Sequence, residues 1–209
     1  MIPILHLVTD DRVLALPRFE SMARECLAAG GGELALHVRG PASGGRILWD
    51  RARTLQEPAR EAGSLLLVND RVDVALLLEL DGIHLPERGF PVKLTRSLLP
   101  PGVQVGRSLH EPQELDPDER PDFVMAGTLF ATPSHPGRVG AGPGRITRMR
   151  RALPDLPLIG IGGVTLDRIA SIRAAGAHGI AVLRGVWDHP RPAQAVERYL
   201  KELERVEEP

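Results

Sequence analysis

The chain has 209 residues, a formal net charge of −1, a single cysteine and only 3% aromatic residues. A near-neutral balance without a basic cluster excludes a nucleic-acid backbone as partner and points to a small ligand, and one cysteine excludes an internal disulfide and a cysteine-based zinc site. The opening MIPILHLVTDD has neither a basic leader nor an apolar run long enough for a signal peptide or a membrane span, so a soluble, cytoplasmic protein with no membrane partner is expected.

Ile2 to Val8 is an apolar run broken by His6 and reads as a first strand with a polar end at Thr9-Asp10-Asp11. Pro17 opens a helix whose apolar residues Phe19, Met22, Ala23, Cys26 and Leu27 recur at three and four before Gly30 stops it. Leu34 to Val38 is the second strand, and a helix over roughly Arg46 to Ala62 follows, which Pro58 should kink or end. Ser64 to Val68 is a third strand ending at Asn69-Asp70, Val72 to Leu80 a short helix, and Gly82 to Leu85 a fourth strand. Lys93 to Leu98 gives a helical turn or two, Val103 to Gly106 the fifth strand, Glu111 to Leu115 a short helix, and Phe123 to Ala126 the sixth strand. Gly127 to Gly144 is a long Gly/Pro-rich loop, a length that inside a compact domain suggests a functional lid or disorder. Helices at Ile146 to Leu153 and Pro192 to Val206 complete the chain around its most informative stretch.

That stretch, Pro157 to Gly185, reads as strand, helix, strand, with Gly162-Gly163 where the first strand stops and Arg184-Gly185 where the second does. Its apolar runs are continuous, as in parallel strands buried on both faces. Glycines at such ends let backbone N–H groups approach an anion, so a phosphate cup is one reading and plain tight turns the other. Eight short strands alternating with helices, with no interdomain linker, favour one TIM (β/α)8 barrel over residues 1–209 above an open doubly wound sheet.

In a barrel the C-terminal strand ends share the face where chemistry is done. Collected there are Asp10, His37, Arg39, Asn69, Asp70, His84, Glu87, Ser108, His110, Thr132, Ser134, His135 and the glycine turns. His110 is the candidate acid/base, since imidazole exchanges protons near neutral pH, or else a solvent-exposed helix start. Arg39 could grip a carboxylate at two points or be an ordinary surface arginine. Asp70 alone is thin evidence for a metal, and His6, His84 and His178 read as structural.

Taken together, LHLVTDD at the start, LHVRG at 36–40, LVNDRVDVAL at 67–76, DGIHLPERG at 81–89, VGRSLH at 105–110, AGTLFATPSHPG at 126–137, PLIGIGGVT at 157–165 and GIAVLRGVW at 179–187 resemble the thiamine phosphate synthase superfamily, over essentially the whole chain. The resemblance implies a phosphorylated thiazole as ligand. Synthases in this superfamily couple a hydroxymethylpyrimidine pyrophosphate to a thiazole phosphate with Mg²⁺, and this chain departs from their pattern at Gly40, Pro41, Gly89 and His135. The GRS-x-H motif is similar to the thiazole tautomerases (the TenI group), which aromatise a carboxythiazole phosphate by proton transfer without a cofactor. By that resemblance the expected function is thiazole tautomerase, an isomerase of thiamine biosynthesis. His110 is then the catalytic residue, and His37, Arg39, Asn69, Ser108, Thr132 and Ser134 contact the substrate. Gly162, Gly163, Val182 and Leu183 hold the phosphate through backbone N–H groups. Two alternatives stand beside it: a thiamine phosphate synthase, for which Asp70 would hold Mg²⁺, and a non-catalytic phosphate-ligand binder or regulator. A homo-oligomer is left open.

Overall fold

The computed structural model describes residues 1–112, 115–116, 118–132 and 139–207. Strands β1 (Leu5–Val8), β2 (Leu34–Val38), β3 (Leu65–Asn69), β4 (Gly82–Leu85), β5 (Gln104–Leu109), β6 (Phe123–Ala126), β7 (Leu158–Ile161) and β8 (Gly179–Val182) pair in parallel in sequence order, and β8 closes onto β1. The expected (β/α)8 barrel is therefore the observed fold. Among the described residues no helix is long and apolar enough to cross a membrane.

Side chains alternate across each strand, so every strand feeds two different interiors. Leu5, Leu7, Leu34, Leu36, Val38, Leu66 and Val68 join the large cluster between the barrel and its helices. Their neighbours Val8, Ala35, Leu67, Phe123, Met125, Ile159 and Ala181 fill the lumen. Three histidines share that lumen: His6, His37 and His84 are each 2% exposed or less. The His84 ring stacks on Phe123 at 5.7 Å, and His6 lies 4.9 Å from Phe123 and 5.1 Å from His37, centroid to centroid. Gly106 makes room for this layer, because a Cβ there would overlap the Phe123 ring and stand 2.6 Å from His84 Nδ1.

The helices follow from caps and apolar stripes. Helix α1 (Asp11–Leu14) is capped by the Asp10 carboxylate, which accepts from the Val13 N–H at 2.9 Å. Helix α2 (Phe19–Gly30) buries Phe19, Ala23, Cys26 and Leu27, and burial pushes the Cys26 thiol up to about 12, which leaves it a packing residue. Helix α3 (Gly45–Ala62) buries Leu48, Ala52, Leu55 and Ala59 and ends at Gly63, whose φ of +72° suits a left-handed cap. It runs through Pro58, so the expected interruption is not observed. The proline ring takes away the amide that would bind the Thr54 carbonyl, and Arg24 of α2 donates to that carbonyl at 3.2 Å instead. Helices α4 (Val72–Leu77), α5 (Val92–Leu98), α6 (Gly144–Ala152), α7 (Ile169–Ala174), the single turn α8 (Arg184–Trp187) and α9 (Pro192–Glu207) complete the ring. The short helix expected over Glu111 to Leu115 falls in part on residues 113–114, outside the described residues.

Candidate active site

At the C-terminal mouth of the barrel lies a cavity of about 430 Å³. Arg39, Asn69, Ser108, His110, Thr132, Gly162, Gly163, Val182 and Leu183 all line it, so most of the expected site residues meet there. Ser134 and His135 lie outside the described residues. His37 does not line the cavity: it is fully buried in the lumen, one layer beneath Asn69, which corrects its expected place against the substrate. Asp70 is exposed and stands off the cavity wall.

Two glycines shape one end of the cavity. Gly162 and Gly163 have φ of +100° and +62°, in the region that favours glycine, and a Cβ on Gly162 would stand 2.6 Å from Thr128 Cγ2. The 6–7 loop is laid over this turn, with the Leu129 N–H donating to the Ile161 carbonyl at 2.9 Å and the Phe130 N–H to the Gly162 carbonyl at 3.0 Å. Arg168, beyond the turn, donates to the Gly163 carbonyl and places its guanidinium 4.4 Å from the Phe130 ring centre while lining the cavity. Next to it, β8 hands directly into α8 at Leu183-Arg184, which also line the cavity. The Val186 and Trp187 N–H groups of this turn donate to the Leu183 carbonyl at 3.2 and 3.0 Å, and Arg168 and Arg184 bring cations to this end of the cavity. Arg184-Gly185 and Leu183 were read from the sequence as strand-end site residues, whereas Arg168 was not. The one signal for Arg168 was its position just past the glycine-bearing end of β7.

The other end carries the side-chain chemistry. Thr9 fixes the start of the β2 loop, since its hydroxyl accepts from the Arg39 N–H and donates to the Arg39 carbonyl, both at 2.8 Å. Desolvation lowers the Arg39 pKa, opposed by Asp10 and Asp11, and a guanidinium remains cationic at any working pH. His110 Nδ1 is 2.9 Å from a Glu87 carboxylate oxygen, so the candidate acid/base just past β5 is oriented by a carboxylate from the β4 loop. That loop is itself held by Arg107, which donates to the carbonyls of Phe90 (2.7 Å) and Glu87 (2.9 Å). Of the GRS-x-H motif, then, the arginine builds the wall, and the serine and histidine face the cavity. Ser108 Oγ is 2.8 Å from His84 Nε2, while His84 Nδ1 is buried without a hydrogen-bond partner. Burial and the neighbouring His37, Arg39 and Arg107 hold His84 neutral, well below the usual histidine range. With its proton on Nε2 it donates to Ser108, which leaves the serine O–H free to donate into the cavity.

Among the described residues a Mg²⁺ ion finds no protein-built cage at this mouth. Among the described residues no three His, Cys, Asp or Glu side chains converge to hold a metal, Asp70 is off the wall, Glu87 is engaged by His110, and Gly89 brings no carboxylate.

Several known proteins are similar to this chain. A thiamine-phosphate synthase of Synechocystis sp. is 32% identical over 97% of the chain, which spans 57% of that protein's length. A thiamine-phosphate synthase of Methanoculleus marisnigri is 36% identical over 87% of the chain and 86% of its own length. Thiamine phosphate pyrophosphorylase from Pyrococcus furiosus superposes with a TM-score of 0.82 at 26% identity, covering 98% of this chain and 97% of its own. These relatives overturn the expectation of a thiazole tautomerase and favour the synthase reading that stood as its alternative. The GRS-x-H motif, on and just past β5, did not separate the two activities. The family model described as thiamine monophosphate synthase matches residues 5–186, and the chain belongs to that family, TMP-TENI.

Proposed function

We propose that the chain is a transferase of the thiamine-phosphate synthase kind, joining a pyrimidine pyrophosphate to a thiazole phosphate. The observation that carries this reading is that one cavity gathers a glycine turn, a helix start and Arg168 at one end and Arg39, Ser108 and His110 at the other. A ligand with a phosphate at one end suits the first group. A second anionic ligand suits Arg39 and the Ser108 hydroxyl.

In such a coupling the thiazole nitrogen forms a bond to the methylene carbon of the pyrimidine as the carbon–oxygen bond to pyrophosphate breaks and pyrophosphate departs with the electron pair. The charge that develops on the leaving oxygen is what the protein must stabilise. A cation in a partly dehydrated mouth does so more effectively than one in water. Arg39 is placed for that role, with the Ser108 O–H as a neutral donor oriented by His84. His110, held by Glu87, is placed to donate to the departing anion.

Thiamine phosphate formed by the purified chain from the two precursors, with Mg²⁺ supplied, tests the reading. Saturating precursors with no product would sink it. The residues at Gly40, Pro41 and Gly89, which bring no charge to the mouth, favour one second reading, a binder of phosphorylated thiazole without turnover. Calorimetric binding of thiazole phosphate in the absence of product would select it.

A further inference from the structure

Beneath Asn69 the lumen histidines form a chain of hydrogen bonds that ends on a backbone carbonyl. His6 Nε2 is 3.1 Å from the Pro3 carbonyl, His6 Nδ1 is 2.9 Å from His37 Nε2, and His37 Nδ1 is 3.1 Å from the Asn69 carboxamide atom placed as Oδ1. A carbonyl can only accept, so His6 carries a proton on Nε2 and donates it to Pro3. In a neutral ring that leaves Nδ1 bare, and His37 must donate to it from Nε2. His37 Nδ1 is then bare as well and can only accept. The oxygen and nitrogen of an amide have the same shape, so the sense of the chain decides which faces His37: the Asn69 NH₂ does, and its carbonyl oxygen is turned toward the cavity, which Asn69 lines. A second proton on either ring would reverse the sense. Both rings are buried with neutral or cationic surroundings, and desolvation holds His6 well below the usual range and His37 at about 4.

We propose that His6 and His37 are positioning residues that lock the Asn69 side chain with its carbonyl oxygen facing the ligand, so that this wall of the cavity selects a hydrogen-bond donor, an amine or ring N–H on the edge of a heteroaromatic ligand. The relay itself stands apart from the proposed reaction. The identity of the donor, an exocyclic amine on the pyrimidine, rests on that reading. The device is absolute in sign, because a carboxamide held either way round would accept in one orientation and donate in the other.

Two-bond ¹H–¹⁵N spectra of histidine-labelled protein read the tautomers directly and need neither turnover nor a variant. The expected result is Nε2–H in both His6 and His37, and Nδ1–H in His37 overturns the proposal. Competition binding then compares an aminopyrimidine pyrophosphate with its methoxy analogue, in which an acceptor replaces the N–H. The native chain should favour the amine by about tenfold or more, since the methoxy analogue leaves a buried acceptor unmatched. In His6→Phe the relay loses its anchor and the preference should fall to about threefold or less, whereas His6→Phe with native selectivity overturns the role of His6. If no thiamine phosphate is formed, the proposed reaction fails while the tautomer result stands or falls by itself.

Discussion

Arg39 and Gly162 decide at the scale of single residues what the mouth of this barrel can hold. Arg39 sits on a strand end whose backbone is tied by Thr9, so its guanidinium is delivered to the cavity without a search through loop conformations. Loss of one preorganised charge at a developing anion costs about 10²–10³-fold in rate. On the proposed coupling, Arg39→Ala should therefore lower kcat for thiamine phosphate formation by about that factor, and steady-state rates at saturating precursors would show it. A change confined to KM would mean that Arg39 only binds. Gly162 acts through space. Its φ of +100° and the 2.6 Å approach to Thr128 leave no place for a methyl group. Gly162→Ala should weaken thiazole phosphate binding by about tenfold or more through a displaced turn, a loss in the 1–3 kcal/mol range of a strained backbone position. Isothermal titration measures it, and native affinity in the variant would show that the glycine turn is not the phosphate cup.

Among the elements, α3 shows how a local fault is repaired by a neighbour. Pro58 orphans the Thr54 carbonyl and Arg24 of α2 supplies the missing donor. Arg24→Ala should cost about 0.5–1.5 kcal/mol in the native chain, the net worth of one hydrogen bond. In a Pro58→Ala background the residue at 58 regains its amide and the same change should cost almost nothing. Urea midpoints of the four chains give the coupling directly, and additive losses would refute the repair. The elements themselves were largely legible: eight apolar runs with turn residues between them are the eight strands, because each strand is buried on both faces. That same double burial hides the phase of each strand. Leu34, Leu36 and Val38 point to the helices while Ala35 and His37 point to the lumen, and a run without alternation does not say which is which. His37 was therefore legible as a strand-end residue but not as a buried one. Strand β5 also runs on to Leu109, so Ser108 belongs to the strand proper and gains its aim from the pleat. The remaining piece of the site, Arg168, depends on how the chain leaves β7, which local composition does not encode.

The whole molecule carries a consequence of filling a barrel with imidazoles. Most such interiors are packed with branched aliphatic side chains, and here three neutral histidines share the lumen with Phe123. In the unfolded chain each titrates at its ordinary 6.5, while in the native state burial lowers all three, His37 to about 4. The unfolded state therefore binds more protons below pH 6.5, and stability falls as the pH is lowered. The contribution is fully present above 6.5, is lost between 6.5 and about 4 for His37, and changes no further below that. At 1.36 kcal/mol per pH unit His37 alone accounts for about 3 kcal/mol across the interval. Asp11 and Asp73, whose hydrogen bonds to Ser43 and Arg71 hold them below the usual carboxylate range, titrate at lower pH and do not obscure it. Urea unfolding at pH 7.5 and pH 5 should show a marked drop in midpoint for the native chain. His37→Gln, which keeps a polar side chain in the lumen but cannot be protonated, should be less stable at pH 7.5 yet lose less on going to pH 5. Equal losses in the two chains would mean that the acid sensitivity of the barrel does not arise from His37.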